Sequence, residues 1–248
     1  MPNKIEIEKP NIFPDEVISG ITLRNLENFP PYGFSISKGK IYSQEEIENY
    51  RKLLANEIGI EFQNLIFTHQ THTDRIAIIS DNQKNNIESD GLITNKAGFG
   101  IVISLADCCG IALYDRKKKI IAAVHSGWRG TNLNITSKAI GMMIEQFHSE
   151  PQDILAYISP CAGSEDYEVG DDVAVYFPKY IRKISEKKYL LDLKQAIHEE
   201  IITSGIPNEN IEISGKSTIS NNSYHSFRRD KDNSGRMGLF IALKSASS

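Results

Sequence analysis

The residues best suited to chemistry in this chain stand at the ends of apolar runs. Asp107 and Cys108 follow the run 101–105, and His125 closes the run 120–124. A rigid sheet holds such end positions while the adjoining loops expose them. If residues 116–119 (RKKK) form the loop of a hairpin, Asp115 faces Ile120 and His125 faces Gly110. Cys108 then lies two positions further on the same side, a diagonal neighbour of His125 at about 7–8 Å between backbones. That spacing lets the two side chains share one small ion or one proton. A slip of one residue would send them to opposite faces.

A Cys–His pair has several readings. One is a buried thiol beside a hydrogen-bonded core histidine. Three features favour chemistry instead. Asp107 ends an apolar strand, where an ionised carboxylate needs a partner. His125 is followed by Ser-Gly-Trp-Arg-Gly-Thr, a glycine-bracketed turn that gathers backbone N–H groups and Arg129, which suits an anion. His72 lies between two expected strands and offers a third donor. His72, Cys108 and His125 would form a nitrogen and sulfur set with its fourth position open, as catalytic zinc requires. Asp107 would then fix a histidine tautomer from behind. His69 competes with His72 for the ligand role, and spacing does not choose between them.

The totals bound the partners. The chain has 248 residues, 40% hydrophobic and 24% charged, enough for one large domain or two small ones. A net charge of −4 argues against nucleic acid or an anionic membrane as the main partner. No apolar run approaches the roughly 18–20 residues needed to span a bilayer. The first residues alternate in charge and lack the apolar core of a secretory signal. The three cysteines, 108, 109 and 161, make a poor disulfide framework, so a reducing, cytoplasmic setting is expected.

The elements that must position these residues follow from period and punctuation. Strands are expected at 17–23, 32–37, 64–68, 74–79, 101–105, 154–158, 211–213 and 239–243, besides the hairpin. Ser43 with Glu46 predicts a capping box, and Ile47, Tyr50, Leu53, Leu54 and Ile58 predict the apolar face of a helix closed by Gly59. Further helices are expected over 132–147, 170–177 and 192–204, and a polar loop at 81–90. A second polar loop, 216–236, carries Arg228, Arg229 and Arg236. Strands and helices alternate without a linker. This predicts one α/β (α+β) domain over 1–248, a mixed β-sheet sandwiched between helices.

Six segments, in order, carry a resemblance: HQTH (69–72), SDGLIT (89–94), ADCCGIALYD (106–115), AAVHSGWRGT (122–131), ISPCAGSEDYEVG (158–170) and SFRRDKDNSGR (226–236). The chain resembles the YfiH family over about residues 65–243. Its members are described as laccase-domain proteins or polyphenol oxidases, and as purine nucleoside phosphorylases. The resemblance implies a metal held by His72, Cys108 and His125, which favours His72 over His69. It implies phosphorolysis of adenosine, inosine, guanosine and S-methyl-5'-thioadenosine, with adenosine deamination, or else copper-dependent oxidation of phenols. Three positions depart from the family pattern. Ser35-Ile36-Ser37-Lys38-Gly39 stands where an arginine-bearing Ser-Thr-Arg segment is usual, Ser217-Thr218 replaces Cys-Thr, and Gly110 replaces a proline.

Roles follow from residue type. Arg129, Arg228, Arg229 and Arg236 are candidate phosphate ligands, or else a solvated basic surface. Glu168 is a candidate acid/base group, or else a helix N-terminal carboxylate. Trp128 stacks on a base or simply packs, and Cys109 and Cys161 pack. Four readings compete: a zinc nucleoside phosphorylase and deaminase, a copper phenol oxidase on the same donors, a metal-free Cys108–His125 hydrolase, and a non-catalytic binding module. Six histidines with no His-x-His pair make a full multicopper cluster implausible, while a single copper suits the same donors. The oligomeric state is not legible in the sequence.

Overall fold

Alternation along the strands decides how this chain stacks. The computed structural model describes residues 4–80 and 87–244. Its strands are β1 (Ile7–Glu8), β2 (Val17–Thr22), β3 (Leu65–His69), β4 (Ile76–Ile78), β5 (Ile87–Glu88), β6 (Gly91–Thr94), β7 (Gly100–Leu105), β8 (Cys109–Asp115), β9 (Ile120–Ser126), β10 (Ile154–Ile158), β11 (Glu168–Val169), β12 (Ile181–Ser185), β13 (Lys188–Leu191), β14 (Ile211–Ile213) and β15 (Met237–Leu243). The helices are α1 (Gln44–Ile58), α2 (Trp128–Asn132), α3 (Ile135–Phe147), α4 (Asp171–Ala174), α5 (Leu193–Thr203) and α6 (Phe227–Asp230). The strands form two six-stranded mixed sheets, ordered β1-β2-β15-β7-β3-β5 and β14-β10-β8-β9-β6-β4, with a small sheet β11-β13-β12 beside them.

The chain is a mixed α/β domain, as expected, but the single expected sheet is two sheets packed face to face. Successive side chains of a strand point to opposite faces. Leu239 and Ile241 of β15 and Ile101, Ile103 and Leu105 of β7 meet Ala112 and Tyr114 of β8 and Ile121 and Ala123 of β9 in a core between the sheets. The intervening residues face outward. Ile111, Leu113, Ala122 and Val124 pack under α3 and α5, while Val102, Phe240 and Ala242 pack under α1. The result is a helix–sheet–sheet–helix stack. Strands buried on both faces are apolar throughout, so their period does not say what covers each face.

Local signals decide the element ends. Ser43 and Glu46 close the capping box on α1, and Gly59 ends it in the left-handed conformation at φ 67°. Caps of this kind are worth about 1 kcal/mol. The expected helix over 132–147 starts late, at Ile135, because Asn134 turns into the left-handed region at φ 54° after α2 ends. The expected helix over 170–177 shortens to α4. The stretch 32–37 is not a strand. Its amides reach across to Arg24 and Arg236 carbonyls one at a time rather than along one neighbour. The hairpin β12–β13 and the short β6 were not expected from sequence. Of the expected loop 81–90, residues 81–86 lie outside the described residues, and 87–88 are strand β5.

Candidate metal centre

The hairpin register is the expected one: Asp115 pairs with Ile120, and Gly110 with His125. Strand β8 begins at Cys109, so Cys108 sits just ahead of it, after a backbone turn at Asp107 with φ 81°. His72 arrives from the loop between β3 and β4, also in the left-handed region at φ 59°. Non-glycine residues in that region concentrate where surrounding contacts enforce them, often at functional sites. The donor atoms of His72, Cys108 and His125 all lie within 4.8 Å of one another. The two imidazoles meet edge to face with centroids 4.9 Å apart. His69, at the end of β3, lines the same cavity but is not in this donor group.

Asp90 holds the centre together, and sequence reasoning missed it. Its Oδ1 meets His125 Nδ1 at 2.8 Å and accepts from the His72 amide at 3.0 Å. Its Oδ2 accepts from the Thr73 amide at 2.7 Å and the Thr73 hydroxyl at 2.8 Å, and the Thr71 amide points to it at 3.3 Å. Its own carbonyl accepts from the His125 amide at 2.7 Å. With Nδ1 taken by the carboxylate, His125 presents Nε2 to the other donors. The available signal was an acidic residue at the mouth of the apolar run 91–94, the same signal that singled out Asp107.

Asp107 therefore does not fix a histidine tautomer. Its buried carboxylate accepts from the Thr218 hydroxyl at 2.7 Å and the Arg228 amide at 2.7 Å, tying the 216–236 loop to the centre. Gly127 is required by close approach. A Cβ there would lie 2.7 Å from Cys108 Sγ.

Electrostatics prepare the donors. Burial pushes the Cys108 thiol up, but the charges and hydrogen bonds of His125 and His72 outweigh it and bring the thiol down to about 6. Burial pulls His125 down, yet Cys108 and Asp90 raise it to about 9. Burial likewise opposes ionisation of Asp90, and the His125 and Thr73 contacts hold it well below the usual carboxylate range. A thiolate beside two imidazoles is the chemistry a borderline-soft divalent metal selects.

The triad opens into a cavity of about 630 Å³ that Arg129, Arg228 and Arg236 also line. Arg129 lies over the Trp128 ring at 4.4 Å, Arg228 over Tyr167 at 5.2 Å and Arg236 over Phe227 at 5.7 Å. Arg229 has another task. Its guanidinium donates to the carbonyls of Thr218, Ile219, Asn221 and Tyr224 and pairs with Asp230, so it braces the loop. Glu168 is not among the lining residues; its carboxylate meets Lys188 at 2.8 Å on the small sheet. Trp128 lines the cavity but stacks on Tyr176 at 6.1 Å, and the glycine-bracketed turn it belongs to is the start of α2. Ser37, at the family's missing arginine, lines the cavity as well. Cys109 and Cys161 are buried in the core, as expected.

Residues 32–244 match the model of the family described as multi-copper polyphenol oxidoreductase laccase. The chain belongs to this family. It is 29% identical over 250 residues to a protein of Bacillus subtilis (strain 168) named purine nucleoside phosphorylase YlmD, covering 93% of this chain and 90% of that one. It is 34% identical over 209 residues to a purine nucleoside phosphorylase of Clostridium acetobutylicum, covering 82% of this chain and 86% of that one. The crystal structure of Bacillus licheniformis hypothetical protein YfiH superposes with a TM-score of 0.88 at 30% identity, over 93% of this chain and 94% of that one. That of YlmD from Geobacillus stearothermophilus gives 0.89 at 24% identity, over 95% and 94%, and shares the fold. Among the described residues no helix is long and apolar enough to cross a membrane.

Proposed function

We propose that this chain is a cytoplasmic, zinc-dependent purine nucleoside phosphorylase acting through His72, Cys108 and His125. The observation that carries the reading is an open three-donor set sharing one cavity with three arginines. The names of its relatives support it. Three free cysteines, among them a donor, fit a reducing compartment. Zinc bound by such a set supplies Lewis-acid polarisation and keeps a position open for water or substrate.

The chain's own residues do the rest. Arg129, Arg228 and Arg236 bind phosphate and orient one of its oxygens toward the sugar's anomeric carbon. As that C–O bond forms, the glycosidic C–N bond breaks and its electron pair leaves with the purine. The proton brought in on phosphate ends on the purine, leaving a sugar 1-phosphate. Asp90 keeps His125 in one tautomer, and Asp107 anchors the loop that carries Arg228. The substrate range we propose is adenosine, inosine, guanosine and S-methyl-5'-thioadenosine, with adenosine deamination at the same site.

The oxidase reading rests on the family description. A multicopper centre needs several donor groups, and among the described residues His72, Cys108 and His125 are the only group of three or more with metal-ligand spacing. Protein made without added copper should carry zinc and release base from inosine with phosphate, without oxidising a phenol. Phenol oxidation that tracks added copper, without nucleoside turnover, sinks the phosphorylase reading. Turnover that survives strict chelation points to the metal-free Cys108–His125 hydrolase.

A further inference from the structure

Tyr167 and Glu168 are neighbours in sequence and part company in space. Glu168 pairs with Leu190 in the small sheet, and its carboxylate reaches Lys188. Tyr167 lines the cavity with His72, Cys108 and His125. Its side chain is only 8% exposed and packs in the core under α3 and α5.

Five other tyrosines hold their hydroxyls on a fixed partner, and of the described tyrosines Tyr167 is the one that lines this cavity. Tyr42 donates to the Gly33 carbonyl at 2.9 Å, Tyr180 to Glu199 at 2.7 Å and Tyr189 to Asp171 at 2.9 Å. Tyr114 and Tyr224 donate to Glu16 and Glu8. The Tyr167 hydroxyl, by contrast, makes no hydrogen bond to any described residue, and it is not among the polar atoms sealed from solvent. Tyr167 lines the cavity, so a ligand bound there can take the place of the water that satisfies this hydroxyl in the free protein.

We infer that the Tyr167 hydroxyl donates a hydrogen bond to the purine of the bound nucleoside and is a catalytic residue. The inference rests on the phosphorylase reading above. Three guanidinium groups already match a phosphate dianion, whereas a neutral phenol suits a ring nitrogen or exocyclic oxygen. Phe227, 45% exposed in the same cavity, gives the base an apolar face. When the glycosidic bond breaks, its electrons move onto the purine. A donor aimed there gains strength in the transition state.

Tyr167→Phe keeps the packed ring and removes only the donor. Measured on zinc-loaded protein with inosine and phosphate varied separately, it should lower kcat by about 10–100-fold. Metal content, Tm and the KM for phosphate should stay at wild-type values. Glu168→Gln, run alongside, should retain activity within about twofold of wild type, as expected for a surface ion pair. Turnover by Tyr167→Phe equal to wild type, or a loss seen only in the phosphate KM, overturns the inference while the phosphorylase reading stands. A loss confined to Glu168→Gln overturns it too and gives the role to Glu168. Wild-type protein that neither binds nor cleaves inosine overturns both together.

Discussion

One carboxylate, Asp90, holds two of the three donors. It fixes the His125 ring through Nδ1 and the His72 loop through the amides of residues 71–73. Asp90→Asn keeps the shape but removes the charge, and puts an N–H donor where one oxygen accepted from other donors. Metal affinity should fall by about 10–100-fold, read by competition with a chromophoric chelator. Wild-type affinity in this variant would reduce Asp90 to loop packing. The same residues set the pH dependence. In the metal-free protein between about 6 and 9, Cys108 is a thiolate and His125 an imidazolium. Metal must displace the His125 proton, so loading releases one proton and affinity rises about tenfold per pH unit across that window. Calorimetry in buffers of different ionisation enthalpy measures it, and an affinity flat from pH 7 to 8.5 contradicts it. His72, Cys108 and His125 were legible from residue type together with a family resemblance. Asp90 was not, because a lone Asp before Gly reads as an ordinary turn.

The hairpin β8–β9 was legible down to its register, since a charged loop between two apolar runs leaves one pairing that keeps both buried. The β12–β13 hairpin was not, because its charged, half-exposed residues read as a solvated loop. Between α5 and α3 lies a contact with its own test. Glu200 Oε1 accepts from the Ser137 amide at 2.6 Å, while Oε2 is buried without a partner. Burial pushes Glu200 up to about 7 despite the hydrogen bonds from Ser137. The folded state therefore binds this proton more tightly than the unfolded chain, whose carboxyl titrates near 4.5. Stability falls as pH rises from that value through about 7 and does not recover above it. The cost is on the order of 3 kcal/mol. Thermal unfolding should show Glu200→Gln more stable than wild type at pH 8 and matched to it near pH 4.5. Equal Tm values at pH 8 would show that the buried carboxylate carries no penalty.

At the scale of the molecule, the two sheets explain where the centre sits. His72 and Asp107 follow β3 and β7 of one sheet, while Cys108, His125 and Asp90 adjoin β8, β9 and β6 of the other. The core between the sheets sets the distance between these two sets of ends. That second sheet was hidden from the sequence, because a strand such as Ile101–Ile103 is apolar on both faces whichever layer covers it. The function proposed for this arrangement is phosphorolysis at one metal centre. Its most direct test is product identity. Zinc-loaded protein given inosine and labelled phosphate should yield hypoxanthine and labelled ribose 1-phosphate in equal amounts, and nothing when phosphate is left out. Free ribose, or base release that does not need phosphate, would contradict the account.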